Sequence, residues 1–436
     1  MTRLRLLVPL ALVGLAGCNS SGGGGFFIPP DGGALPDLSV PADLTGPADL
    51  SMPIVPPDLS VPNTPRDLAT PPPPPDLATP PPPPDLARAK PISFAAPVAL
   101  PTGSGTYGLA AGDVRGTGVV DLITANQNTN DLTLLLSNGN GTFQNGVSIP
   151  TGASPSWAWS SDFNGDKRDD IVATSFNNND VSVHLSTGGG TFAAPVKYLC
   201  GVNPWFVVAF DLDGNGTRDL VVGNNGVSNG NYYISVLLGN GNGTFNQAVN
   251  YLVGTNPGVA WVADFTGDGK QDILVGNSGA AYLSFLKGHG DGTFDVATAI
   301  MGFNAPRSIA SADLNKDGRL DIAVVDLGNG KLNVAMGNGD GTFQVPVAYT
   351  VGGGPRQVVL ADFNADGKLD AAVANYTSNN VSTLEGNGDG TFQAAQNIAV
   401  GAGPRSLIVK DWNRDGKPDL AVGAWSGASV MILLNQ

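Results

Sequence analysis

Glutamate is all but missing from this chain, since Glu385 is the only one among 436 residues. Cysteine is nearly as scarce: Cys18 and Cys200 are the only two, and because Cys18 is accounted for otherwise below, no intrachain disulfide framework is expected. Cys200, at the end of a short apolar run, reads as a lone half-buried thiol. Histidine is limited to His184 and His289. The first falls in an apolar strand and the second in a solvent turn. Neither has an obvious catalytic partner, and no Ser-His-Asp order, zinc-ligand spacing or phosphate loop can be assembled around them. Basic residues are also in deficit, 22 against 37 acidic, and the formal net charge of -15 argues against nucleic acid as a partner. Apart from Leu6 to Leu15 there is no long apolar run, and that one is too short to span a bilayer stably.

What the chain has in quantity is glycine, 60 residues, and proline, 34, and they are unevenly spread. The N-terminal end, residues 1–17, has Arg3 and Arg5 ahead of the apolar stretch, the pattern of a secretory signal peptide. It ends in Leu15-Ala16-Gly17-Cys18. This resembles a bacterial lipobox and implies cleavage before Cys18, acylation of its thiol, and attachment to a membrane through the lipid. Asn19 follows the cysteine, which by analogy with bacterial lipoprotein sorting favours the outer membrane. Residues 18–90 repeat Pro-Asp-Leu and Ala-Asp-Leu units, with too little apolar mass for a core and enough proline to favour extended polyproline II. They read as a disordered tether. At roughly 3.1 Å per residue it could reach on the order of 200 Å if fully extended.

From residue 91 to 436 the chain is a repeat. Seven nine-residue loops open at Asp113, Asp162, Asp211, Asp264, Asp313, Asp362 and Asp411, at intervals of 49, 49, 53, 49, 49 and 49 residues. The copy from Gly302 to Phe343 shows the grammar. An apolar run, Ser308 to Ala312, leads into the loop Asp313 to Asp321; Ile322 to Val325 and Lys331 to Met336 follow; a Gly-rich hairpin, Gly337 to Phe343, precedes a last run, Val347 to Val351. Four short strands per repeat make one blade of an all-β, seven-bladed β-propeller. The last copy stops at Gln436 after its third strand, while Ile92 to Gly103 matches Gly190 to Gly201, the hairpin and fourth strand of another copy. The first strand is therefore expected to complete the last blade and close the ring, hiding two sheet edges.

The loops put acids at positions 1, 3, 5 and 9 around a glycine at 6. This resembles the FG-GAP/VCBS repeats of integrin α-chain heads and many bacterial surface proteins, over residues 92 to 436. The resemblance implies one structural Ca²⁺ per complete loop, held by the side chains at 1, 3, 5 and 9 and the carbonyl at 7. Hard Ca²⁺ takes six to eight oxygens, and a tight turn aims alternate side chains inward. Five copies match: Asp211, Asp213, Asn215 and Asp219; Asp264, Thr266, Asp268 and Asp272; Asp313, Asn315, Asp317 and Asp321; Asp362, Asn364, Asp366 and Asp370; Asp411, Asn413, Asp415 and Asp419. A sixth, Asp162, Asn164, Asp166 and Asp170, has Lys167 in place of the glycine, which costs a left-handed residue and brings a cation close. In the first copy Arg115 and Thr117 replace the ligands, so Asp113 and Asp121 are expected to pair with Arg115. Five to six Ca²⁺ are expected, offsetting most of the negative charge. The competing reading is that these are Asx-turns that need no metal.

Strand order puts the loops on one face with the Gly-rich hairpins. On the opposite face, the blade crossovers carry Tyr107, Trp157, Trp205, Trp261, Arg307, Arg356 and Arg405 near the mouth of the ring. Aromatic faces and guanidinium groups suit sugars or acidic polymers. Alternatively, the arginines pair with carboxylates of neighbouring blades and the tryptophans fill blade interfaces. The expected function is a lipid-anchored envelope module that binds or adheres to a glycan or surface protein and has no catalysis of its own. The alternative is a polysaccharide lyase or glycoside hydrolase built on the same ring, since related propellers occur in such enzymes.

Overall fold

A computed structural model describes residues 90–436; the signal peptide, Cys18 and the tether read from residues 1–89 lie outside the described residues. Seven four-stranded antiparallel sheets follow one another along the chain. In the fifth they run Pro306–Ala312, Asp321–Asp326, Lys331–Ala335 and Val347–Thr350, within two residues of the sequence reading at each end. The first strand of every blade touches the first strands of both neighbouring blades, and Thr106–Gly112 meets Pro404–Lys410, so the ring is closed with first strands innermost.

Closure also follows the expected route. Val98–Pro101 pairs with Ser429–Leu433 as the outer strand of the seventh sheet, whose order is outer strand, Ser429–Leu433, Asp419–Ala424, Pro404–Lys410. Phe94 and Asn435 extend the pairing by a bridge, and the Gln436 amide donates to the Ser93 carbonyl at 2.9 Å. The last peptide units of the chain thus find partners in the segment just ahead of the first described strand.

Burial falls off from the ring's interior. The first six residues of the second strand of each blade, such as Asp272–Asn277 or Asp370–Asn375, are all buried because both faces pack on neighbouring sheets. The outermost strands are mostly solvent-exposed on both faces, with Val98, Val147, Val196, Val249 and Val347 each about half exposed. Blades are joined by aromatic contacts of one recurring kind. The phenylalanine that ends a hairpin packs edge-on against the aromatic at position 2 of the preceding blade's loop: Phe245 on Phe163 at 5.5 Å, Phe343 on Phe265 at 5.9 Å, and Phe143 on Trp412 at 5.3 Å across the closure.

Candidate functional site: acidic loops at one end of the ring, an arginine cluster at the other

Each loop is organised by its own carboxylates. In the third copy, the two oxygens of Asp211 accept the amides of Asn215 and Gly216 at 3.1 and 2.9 Å, and Asp213 accepts Asn215 at 3.1 Å. Asp219 at position 9 is fully buried and accepts amides from two directions, Leu212 at 2.8 Å in the loop and Gly239 at 2.8 Å in the hairpin of the same blade. The pattern recurs at Asp170, Asp272, Asp321, Asp370 and Asp419. Burial, reinforced by the neighbouring loop aspartates, outweighs these hydrogen bonds and pushes Asp170, Asp219 and Asp370 up to about 6.

The donor set fits a hard divalent cation. Asp211, Asp213 and Asp219 each bring a carboxylate oxygen within 4.8 Å of the other two, and among the described residues they alone form such a trio. Every carboxylate in the loop keeps a lone pair beyond the amide it accepts. The other complete copies, with Asn or Thr at position 3, offer neutral oxygens there, Asn315, Asn364, Asn413 and Thr266, as does Asn164 in the second copy.

Two of the sequence expectations for these loops are corrected. Arg115 does pair with Asp121 in the first copy, gripping it with Nε at 3.1 Å and Nη2 at 2.7 Å, but Asp113 does not join it. Asp113 instead accepts the amides of Thr117 and Gly118, the ordinary loop-shaping bonds. In the second copy the cation beside the carboxylates is Arg168, 2.6 Å from Asp166, and not Lys167. Lys167 has φ of 67°, so the left-handed residue predicted there is present. The sequence reading missed a second left-handed residue, at position 4: Gly116, Gly165, Gly214 and Gly267 in four copies, and Lys316, Ala365 and Arg414 in the other three. Glycine in four copies was a partial sign of it, blurred by non-glycine residues in the other three.

The loops also bridge blades. Carbonyls at position 2 accept donors from the next blade's hairpin: Phe163 from the Gly243 amide at 2.8 Å, Phe265 from Gly341 at 3.1 Å, and Trp412 from Gly141 at 3.0 Å across the closure. Val114 accepts the Ser186 hydroxyl at 2.6 Å, and Phe363 accepts Asn435 Nδ2 at 2.7 Å.

At the opposite end, the residue six places before each loop occupies one structural position in all seven blades: Tyr107, Ser156, Trp205, Gly258, Arg307, Arg356 and Arg405. In six blades the pairing of first and second strands skips this residue, as between Pro306 and Ser308 or Pro404 and Ser406. It is therefore the extra residue of a β-bulge, which turns its side chain out of the ladder and towards the mouth. Proline at the strand start, as in Pro204, Pro306, Pro355 and Pro404, is compatible with a position that donates no ladder hydrogen bond. The crossover before it is pinned by another recurring bond. The residue fourteen places after each loop's first aspartate donates its amide to a left-handed crossover residue, for example Tyr376 to Gly354 at 2.9 Å and Trp425 to Gly403 at 3.0 Å.

Three arginines from consecutive blades converge there on aromatic rings. Arg405 lies over Tyr107 at 3.6 Å and near Trp425 at 5.0 Å. Arg307 lies over Trp205 at 5.5 Å and Arg356 over Tyr376 at 5.1 Å. The Tyr107 hydroxyl receives Arg307 Nη2 at 2.8 Å and is also the partner of Arg405 Nη2. Burial first, then the nearby Arg307 and Arg356 charges, pull Arg405 down to about 10; burial and the Arg307 charge lower Arg356. None of the three forms an ion pair among the described residues, so the expectation of a carboxylate on a neighbouring blade is not met.

The aromatic members are placed differently from the sequence expectation. Tyr107 is 1% exposed, with Trp205 and Trp425 edge-on at 4.7 and 5.3 Å, and is a buried hub of the cluster. Trp157 and Trp261 line the ring's central channel with Trp159, Val359 and Val409, around two apolar cavities of about 400 and 420 Å³. Trp205, Arg307, Arg356 and Arg405 do come together. Phe176, Tyr376 and Trp425 were missed, though their shared phase, fourteen residues after each loop's first aspartate, was open to reading. Of the histidines, His184 is buried beside Thr151 and Ser182, with burial pulling it down to about 4; exposed His289 lies 3.2 Å from Asp295.

A family model described as FG-GAP-like repeat matches residues 162–222, 264–324, 313–373 and 362–422, together just over half of the chain. The chain belongs to the FG-GAP-like repeat family. The matched segments run from loop to loop, leaving out the divergent first copy. This FG-GAP propeller matches no curated protein. Among solved structures it is similar to BBS1N crystallised in complex with ARL6DN, with a TM-score of 0.55 and 14% identity over 78% of this chain and 98% of that one. It is also similar to a protein from Lactobacillus plantarum, with a TM-score of 0.53 and 15% identity over 70% and 88%. A protein of unknown function from Desulfotomaculum acetoxidans gives a TM-score of 0.52 and 14% identity over 71% and 94%. These likenesses carry the fold alone.

Proposed function

We propose that this FG-GAP propeller is a binding module of the bacterial envelope. In this reading an acyl group on Cys18 holds it to a membrane, the outer membrane by the lipobox analogy, and residues 18–90 let the ring stand off the surface. Calcium fastens the blades through the complete acidic loops. A glycan or surface protein is bound at the far end of the ring.

The observation that carries the reading is the division of labour along the ring axis. The acidic loops are engaged in structural work: their position 2 carbonyls hold blade to blade, and their position 9 aspartates tie each loop to the hairpin of its own blade. The opposite end gathers arginines and aromatic rings with no carboxylate among them. Calcium would be held by the side chains at positions 1, 3, 5 and 9 of the five complete loops, and by Asp162, Asn164, Asp166 and Asp170 where Arg168 yields Asp166. Its contribution would be charge neutralisation and cross-linking of the loop.

A glycan array run beside reducing-end and lyase assays tests this. Saturable binding without turnover is expected. Turnover of any bound polysaccharide would replace the reading with that of a glycan-degrading enzyme.

A further inference from the structure

Resting on the binding-module reading, we propose that the arginine cluster at the mouth is an anion-binding site whose ligand is an acidic glycan, its carboxylate or sulfate group engaged by Arg356 and Arg405. Three guanidinium groups from consecutive blades converge with no acidic partner, an arrangement that opposes itself by mutual repulsion and by loss of solvation. A purely structural arginine in this setting would be matched by a carboxylate. Here the partners are a tyrosine hydroxyl and the faces of aromatic rings.

Donors are left over. The Nε atoms of Arg356 and Arg405 are buried with no hydrogen-bond partner. An unsatisfied buried donor is costly, and an oxyanion reached by two guanidinium forks would satisfy it with charge-assisted bonds. Planar carboxylate and tetrahedral sulfate both match the fork, which lysine would not reproduce. Trp205, Tyr376 and Trp425 flank these donors and supply flat apolar faces for a sugar ring. The asymmetry is built into the backbone as well. A side chain at Gly258, the equivalent position in the fourth blade, would strike the Arg307 carbonyl. Glycine there lets the Arg307 strand sit close, so the cationic side of the mouth has no counterpart in that blade.

The test uses the full chain, with calcium present, in two measurements. Thermal melts are followed with inorganic sulfate against chloride at matched ionic strength. Calorimetric titrations use oligogalacturonate, a sulfated oligosaccharide and neutral cellohexaose, on the wild type and on Arg356→Gln, Arg356→Lys, Arg405→Gln and, as a control on an exposed outer strand, Lys197→Gln. Sulfate is expected to raise the wild-type melting temperature more than that of either glutamine variant. Affinity for the acidic oligosaccharide should fall roughly tenfold or more in Arg356→Gln, fall less in Arg356→Lys, and stay unchanged in Lys197→Gln. Preference between carboxylate and sulfate identifies the natural anion. Should Arg405→Gln fail to fold, Arg356→Gln decides the matter. Acidic ligands that bind equally well to the glutamine variants, or binding confined to cellohexaose, would overturn the anion site while leaving a glycan module standing. A sulfate effect lost in the variants, with no oligosaccharide bound, would keep the anion site and remove the glycan.

Discussion

Asp326 stands where four other blades carry Asn126, Asn224, Asn277 and Asn375, and the difference is measurable. In those blades the asparagine donates to the third strand, as Asn375 does to Ser382 at 2.8 Å. Asp326 accepts instead, from the Asn304 amide at 2.8 Å and from Asn333, leaving its other oxygen buried and unpartnered. Burial pushes it up to about 6. A carboxyl whose folded pKa exceeds its unfolded value stabilises the fold most below about 4, and that contribution is lost as pH rises through about 6. Asp326→Asn is therefore expected to gain about 1 kcal/mol at pH 8 and to flatten the stability profile between pH 4 and 7, read by denaturant melts across pH. Lys167 offers a second check. Its φ of 67° carries the left-handed penalty that glycine avoids, so Lys167→Gly should raise stability by about 0.5 to 1 kcal/mol in the same assay. The loop carboxylates that shape each turn were legible residue by residue because a short carboxylate at fixed phase has few other uses. The partners of Arg115 and Arg168 were not, since they depend on which of several nearby aspartates each side chain reaches.

At the scale of the element, strand positions followed from alternating apolar runs and Gly-rich turns, and the Pro306–Ala312 blade departs from that reading only at strand ends. The bulge at the start of the inner strands did not follow. A bulge inserts one residue without altering the apolar pattern on either side, so only the pairing with the second strand reveals it. That one residue decides which side chains reach the mouth: it places Arg307, Arg356 and Arg405 there, whereas Trp157 and Trp261, in other phases, face the channel. The strand Val98–Pro101 carries the clearest element-scale prediction. Deleting residues 91–101 would expose the edge of Ser429–Leu433, so the truncated protein should melt lower and associate through that edge, seen by light scattering and size exclusion.

For the molecule as a whole, the seven-fold period makes the fold legible, because a blade cannot cover its own faces and the missing fourth strand of the last copy is found at the start. Function is less legible for the same reason. The repeat explains what the blades share, whereas the proposed binding site lies where they differ, at Tyr107, Trp205 and the three arginines, and in side chains that meet only when the ring closes. The proposed role of calcium is to fasten that ring from the loop side. Its most direct test is metal analysis of the purified chain, paired with thermal melts before and after chelator and again with calcium restored. Five to six calcium ions per chain, a lower melting temperature in chelator and recovery on adding calcium are expected. A metal-free protein whose melt ignores both chelator and calcium would contradict it.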